Sequence, residues 1–317
     1  MPNSNTLRAG PSRAIELQKP GDRTRRRRSP RPRYAPYLFL SPFFVLFALF
    51  WVYPVLRAVV LSFQHWTAGK TTWVGLANYR YVLGQPNVQH AFGNLVWYAV
   101  VNNVLQIVIA LGLALMLDQQ VFRRVAGLYR VAFFLPNIVS GVSTALLFGI
   151  ILGAGGVADH LLSSVGAHIA WLQSATWSKP AVVIAGGWRW IGYWVVILAA
   201  ALQGVPREYY EAASIDGLGR LRQAWHISIP SIRPVLLFVV TTNTIGTMQI
   251  FEEPFLMLTP PGGALASGTT PVLEIYRFGF INFDLGSAAA LGWLLTLVII
   301  AVTVAQLLIA RRREWLE

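Results

Sequence analysis

Four long stretches without a single Asp, Glu, Lys or Arg constrain this chain more than any other feature: Tyr34–Leu56, Ala91–Leu117, Val131–Ala158 and Leu285–Ala310. Each exceeds the roughly 20 residues that a helix needs to cross a hydrocarbon core about 30 Å thick. Buried helices of soluble proteins are rarely this long and this uniformly apolar. Composition agrees, with 55% hydrophobic and 12% charged residues and a mean hydropathy of +0.52. A soluble chain carries about twice that share of charge. The sequence therefore reads as an all-α integral membrane protein.

A net charge of +13 raises the question of nucleic acid, and its location answers it. Residues 1–36 hold ten Lys/Arg against Glu16 and Asp22, so this tail supplies most of the excess. The tail is rich in Pro, Ser and Asn and has no hydrophobic period, so it is expected to be a disordered basic cytoplasmic segment. Directly ahead of a spanning helix, the run Arg25–Arg28 reads as a topogenic anchor rather than a nucleic-acid arm. The chain has no cysteine, which excludes disulfides and thiolate metal sites. The first apolar segment is too extended for a cleaved signal peptide and is expected to be retained.

Six spans are predicted: Tyr37–Leu61, Asn94–Leu117, Tyr129–Leu152, Pro180–Gln203, Ser231–Leu258 and Leu285–Ala310. An even number puts both termini on one side. With the N-terminus cytoplasmic, the inner segments collect the tail together with Arg123, Arg124, Arg130, Arg207, Arg220, Arg222, Arg233 and Arg311–Arg313. The outer segments hold only Lys70, Arg80, Lys179 and Arg277, a strong positive-inside bias. Trp66, Trp73, Trp171 and Trp177 then fall at outer span ends, where indoles favour the interface.

The inner segment Gly204–Pro230, between spans four and five, is too structured for a plain turn. A helix beginning near Pro206 suits proline in a first turn and acids Glu208 and Glu211 near its start. Gly217 and Gly219 are expected to end it. A second amphipathic stretch, Leu221–Ile229, follows up to Pro230. Two short helices about a glycine bend make a cytoplasmic knob that can fill a cleft on another protein.

Glu211-Ala212-Ala213, three residues ending in Asp216, Gly217, nine residues, then Ile227-x-Ile229-Pro230 resembles the EAA loop of binding-protein-dependent ATP-binding-cassette importer permeases, and Asp216-Gly217 fits the family's usual Asp-Gly. Ile229 stands where the family has leucine. Tyr53-Pro54, Gly75-Leu76-x-Asn78-Tyr79, Phe133-x-Leu135-Pro136, Leu258-Thr259 before Pro260-Pro261-Gly262-Gly263, and Phe283-Asp284-x-Gly286 resemble the sugar branch of that family. The resemblance covers residues 37–313. It implies the type I importer permease fold, with six transmembrane helices and both termini cytoplasmic. It further implies a second permease subunit, two ATPase subunits, an extracytoplasmic solute-binding protein and a place in the bacterial cytoplasmic membrane. The EAA loop would seat in a groove on one ATPase through Glu211, Ala212, Ala213, Asp216, Gly217, Ile227 and Pro230, with Glu211 forming a salt bridge there.

Weaker signals lie within the spans. Arg189, in Gly186-Gly187-Trp188-Arg189-Trp190, either lines the path or snorkels between tryptophans near the interface. Asn243, Thr247, Gln249, Glu252 and Glu253 give span five a polar window ahead of the helix-breaking Pro254. Arg189, Asn243, Gln249 and Glu252 are the candidate substrate contacts. Some of these polar groups must instead make inter-helix hydrogen bonds, because they cannot share one helical face. Gly149-x-x-x-Gly153 offers span three a close helix contact. The Gly69-Lys70-Thr71 and Gly217-x-Gly219 fragments lack the rest of a nucleotide-binding signature, so ATP would be hydrolysed by a partner and no cofactor is implied. The five histidines have no metal-ligand spacing. Rival readings are an importer permease for glycerol phosphate or a polyamine, an integral-membrane enzyme, and a stand-alone secondary transporter.

Overall fold

The computed structural model describes residues 34–67, 70–117 and 126–312. Most of the basic tail, and Arg123 and Arg124, lie outside the described residues. The chain divides into two units, Met1–Tyr53 and Pro54–Glu317.

In the first unit, α1 (Ala35–Phe47) starts with proline in its opening turn and passes into a π-helical turn, Ala48–Val52. Phe43, Phe47 and Trp51 stack along one face, with ring centroids 6.0 and 6.4 Å apart. None of the residues of that π turn is buried within the chain.

The second unit opens with α2 (Tyr53–Ser62) and a two-stranded antiparallel hairpin, β1 (Gln64–Thr67) and β2 (Lys70–Trp73), paired Gln64 to Trp73 and Thr67 to Lys70. This short hairpin is a local addition to a chain that is otherwise helical. Buried Asn78, in α3 (Ala77–Leu83), holds the hairpin's base by donating to the carbonyls of Ser62 and Gln64, each at 2.9 Å. Tyr79 Oη donates to Ser62 Oγ at 2.8 Å. Gly286 lets the Gln64 carbonyl press against the start of α15 (Leu285–Arg312), where a Cβ would collide.

Among the described residues, six helices are long and apolar enough to cross a membrane: Tyr37–Ser62, Pro86–Leu117, Gly141–Ser163, Ser178–Gln203, Arg233–Leu256 and Leu285–Arg312. Three differ from expectation. The second, α4 (Pro86–Leu117), begins eight residues early because proline opens a helix without loss of a bonded N–H. The third is interrupted at Val139–Ser140, giving α5 (Ala126–Ile138) and α6 (Gly141–Leu152), with Ser140 Oγ accepting from the Ser143 amide as an N-cap. After Gly153 a further short helix, α7 (Val157–Ser163), follows. The fifth ends α12 (Arg233–Thr247), leaves Gln249–Phe251 non-helical, and resumes as α13 (Glu252–Leu256). Pro254 therefore sits in a first turn, where its missing donor costs nothing, rather than breaking the span itself.

The core lies between α4 and α8 (Ser178–Gln203), the most enclosed span. Trp194, Val195, Leu198, Ala199 and Leu202 of α8 pack with Ala110 and Ala114 of α4 and with Ile232, Leu236 and Val239 beside them. The close helix contact falls elsewhere than expected. Among the described residues, no atom of a neighbouring element lies within 4 Å of a Cβ built on Gly149, whereas Gly192 of α8 faces the Phe133 carbonyl of α5 so closely that any side chain would clash.

At the hairpin end, residues 259–270 fold over α4 and α8. Asn94 Nδ2 donates to the carbonyls of Ala266 (3.1 Å) and Thr269 (3.0 Å), Tyr98 Oη to Gly268 O at 3.3 Å, and Ser178 and Ser267 hydroxyls meet at 2.7 Å. The chain then enters α14 (Pro271–Tyr276), capped by Thr270, whose hydroxyl accepts from the Leu273 amide.

Candidate functional site

The knob is built by local sequence and anchored by the bundle. Helix α9 (Arg207–Ile215) starts after Pro206, with Glu208 in its first turn. It ends in a Schellman turn: Gly217 N donates to Ser214 O at 3.1 Å and Leu218 N to Ala213 O at 2.9 Å. Gly217 holds φ +77, a left-handed conformation that suits a residue without Cβ. Gly219, at φ −67 and ψ 160, does not end α9; it precedes the next helical run instead. That run comprises α10 (Arg220–Gln223), a π turn (Ala224–Ser228) and α11 (Ile229–Ser231).

Two side-chain bonds clamp the halves together. Tyr210 and Ser228 hydroxyls meet at 2.9 Å, and Gln223 Nε2 donates to Ser214 Oγ at 3.0 Å. Ile227 and Ile229 pack with Tyr210 on the α4–α8 core, and Ala213 is buried. Pro230 is half-buried. The opposite face is free: Glu211, Ala212, Asp216 and Gly217 are exposed. Around them stand apolar side chains that sequence reasoning passed over, Ile215 (88% exposed), Leu221 (75%), Trp225 (64%) and Tyr209 (56%). Their alternation with charges in an otherwise polar segment is the signal that could have found them. The seven motif residues thus divide into an anchoring set (Ala213, Ile227, Pro230) and a presented set (Glu211, Ala212, Asp216, Gly217).

The polar window of the spans is also two things. Asn243 is fully engaged between helices: Trp194 Nε1 donates to its Oδ1 at 3.1 Å, and its Nδ2 donates to Asn103 Oδ1 at 3.2 Å. Asn102 Nδ2 reaches Thr247 Oγ1 at 3.3 Å, Gln106 Nε2 reaches Asn102 Oδ1 at 2.8 Å, and Gln306 Nε2 reaches Thr244 Oγ1 at 2.9 Å. This ladder ties α12 to α4, α8 and α15, and Asn243 is one of its rungs.

A separate cluster forms where the interruptions of spans three and five meet α8. A Cβ on Gly141, the first residue of α6, would lie 2.6 Å from Arg189 Nη1 and 3.0 Å from Glu252 Oε1. A guanidinium and a carboxylate therefore share the surface of one glycine, beside a helix start that favours the carboxylate. They do not close into an ion pair; among the described residues the pair within 4 Å is Glu274–Arg277. Arg189 Nε is buried without a partner, while its guanidinium lies 5.3 Å from the Trp190 ring centre. Glu253 is 4% exposed, and its Oε1 lies 3.9 Å from where a Cβ on Gly186 would be. Gln249 is exposed at the interruption. Asn243 and Thr247 lie on α12, which stops at Thr247, whereas Gln249 and Glu252 follow its end, so no single helical face relates the two pairs. Non-helical backbone at membrane depth persists where protein surrounds it or where it borders a water-filled path.

Residues 106–315 match the family described as the binding-protein-dependent transport system inner membrane component. The chain belongs to that family. It is a multi-pass transport permease of the cytoplasmic membrane, with the fold of an ATP-binding-cassette importer permease.

Two relatives frame its chemistry. The arabinooligosaccharides transport system permease protein AraP of Halalkalibacterium halodurans is 33% identical over 281 residues, covering 87% of each chain. The sn-glycerol-3-phosphate transport system permease protein UgpA of Brucella abortus is 34% identical over 286 residues, covering 88% of this chain and 95% of that one. A permease chain in the crystal structure of a bacterial alginate ABC transporter, in complex with alginate pentasaccharide-bound periplasmic protein, superposes with TM-score 0.78 at 20% identity. That match covers 88% of this chain and 94% of the other. At that identity the likeness speaks for the fold.

Proposed function

We propose that this permease forms one half of the translocation path of an importer for a sugar or short oligosaccharide. A second permease subunit completes the path, two ATPase subunits drive it, and an extracytoplasmic solute-binding protein delivers the cargo. The permease itself hydrolyses nothing; ATP is consumed by the partner. Both termini and the knob lie in the cytoplasm, in keeping with the positive-inside bias.

The observation that carries this reading is the division of the knob. One face is clamped into the α4–α8 core through Tyr210, Ile227 and Ile229, and the other presents Glu211 amid exposed Tyr209, Ile215, Leu221 and Trp225. Closure of the ATPases against the free face is passed to the spans because the anchored face leaves no slack. Coupling of this kind requires the knob to contact the two ATPase states differently. The Arg189–Glu252–Gly141 cluster, with Gln249 beside it, is the part of the path that would touch cargo.

The test is uptake into vesicles carrying the assembled importer. Glu211→Lys and Gly217→Pro are expected to insert normally and to abolish ATP-dependent uptake; normal uptake in both would defeat the coupling assignment. One observation favours a second cargo. Arg189, with a buried and unpartnered Nε, suits an anion such as glycerol phosphate, the cargo named for the Brucella relative. Competition of labelled arabino-oligosaccharide uptake by glycerol 3-phosphate, lost in Arg189→Gln, would select that reading.

A further inference from the structure

The end of the bundle that carries the hairpin contains a cleft of about 320 Å³, lined from α3, the start of α4, and α14 with the π turn after it (Arg277–Ile281). That volume lies at the small end of the range that ligand sites occupy, roughly 300–1,000 Å³. Its wall chemistry is specific. Gln85, Asn87 and Asn282 supply three carboxamides. Each carboxamide presents a donor and an acceptor side by side.

The charged groups of the wall cancel. Glu274 is only 4% exposed, and its Oε1 accepts from both Thr269 Oγ1, at 3.0 Å, and Arg277 Nη1. Arg277 spends its other terminal nitrogen on the Pro261 carbonyl. Three N–H groups of Arg277 remain, but with Glu274 against it the wall carries no net charge, and Glu274 Oε2 remains as an acceptor. Tyr81 is exposed at the rim, set edge-on to Phe278 at 6.1 Å between ring centres, and offers an aromatic face.

From this geometry we infer that the cleft binds a neutral sugar ring at a site distinct from the Arg189–Glu252 cluster. Paired hydroxyls match the carboxamides and the free carboxylate oxygen, and the apolar face of a pyranose or furanose matches Tyr81. An anionic cargo meets no net positive charge in this wall, because its one arginine is paired with a carboxylate. The inference deepens the sugar reading above by adding a capture site ahead of the path.

The test uses the full chain in lipid nanodiscs, titrated with arabinobiose and followed by saturation-transfer NMR. Saturable binding is expected in the unmodified chain, about tenfold weaker in the Gln85→Ala/Asn87→Ala variant, since two net hydrogen bonds are removed. Glycerol 3-phosphate is expected not to compete. Absence of saturable binding overturns the site. Loss in Arg189→Gln with none in Gln85→Ala/Asn87→Ala also overturns it, while leaving the sugar reading of the path intact. If the cleft instead seats the solute-binding protein, the double variant keeps its sugar binding and loses only docking, which overturns it too.

Discussion

Gly217 and Asn78 show two ways in which a single residue is required. At Gly217 there is open space for a Cβ, so the constraint is the backbone alone, φ +77. Gly217→Ala should destabilise the knob's bend by roughly 1–2 kcal/mol, the cost of a left-handed conformation for an L-residue. ATP hydrolysis by the assembled importer should fall severalfold, and Gly217→Asn should retain most of it, because asparagine tolerates that region. At Asn78 the constraint is polar satisfaction. Asn78→Ala leaves one buried and one partly buried carbonyl without their donor, about 1–3 kcal/mol, read as a lower thermal midpoint in detergent. Asn78→Asp should be at least as damaging, since its carboxylate would face both carbonyls. The Gly-Leu-x-Asn-Tyr stretch was legible as a motif, but its purpose, tying a hairpin to α3, depends on atoms 14 and 16 residues away.

Among elements, the decisive contact is between α5 and α8. Gly192 admits the Phe133 carbonyl, so Gly192→Ala should push the two helices apart and cost about 1–3 kcal/mol, as overpacking does. Uptake and thermal midpoint should fall together, unlike in the knob variants. Within the knob, the Tyr210–Ser228 bond joins α9 to the helical run after Gly219. A double-mutant cycle of Tyr210→Phe and Ser228→Ala should return a coupling of about 1 kcal/mol. A near-zero value would remove this clamp from the coupling route. The knob was readable from sequence because a helix, a glycine and a second helix are each specified within a few residues. The interruption at Gln249–Phe251 was not, because its neighbours Met248 and Ile250 are ordinary apolar residues. What holds the chain open there is the packing of α13 on α6 and the bond from Thr270 Oγ1 to the Ile250 carbonyl, 2.9 Å.

For the molecule as a whole, the absence of cysteine makes sidedness directly measurable. A lone cysteine at Leu221 should react with an impermeant thiol reagent only from the cytoplasmic face. One at Leu265, 90% exposed at the opposite end, should react only from outside. The reverse pattern would overturn the orientation and the motor-facing knob with it. Charge-free length, the lopsided placement of Lys/Arg and the spacing of the EAA segment settled membrane residence, span number and family from sequence alone, because each depends on neighbouring residues and on the solvent. Which polar groups are satisfied between helices and which are left over was decided only by tertiary structure. Asn243 and Glu252 are nine residues apart in one nominal span, yet Asn243 is satisfied by Trp194 and Asn103, while Glu252 stands over Gly141 beside Arg189. A polar side chain in a bilayer has to find a partner, and that partner comes from another helix, which local sequence does not identify.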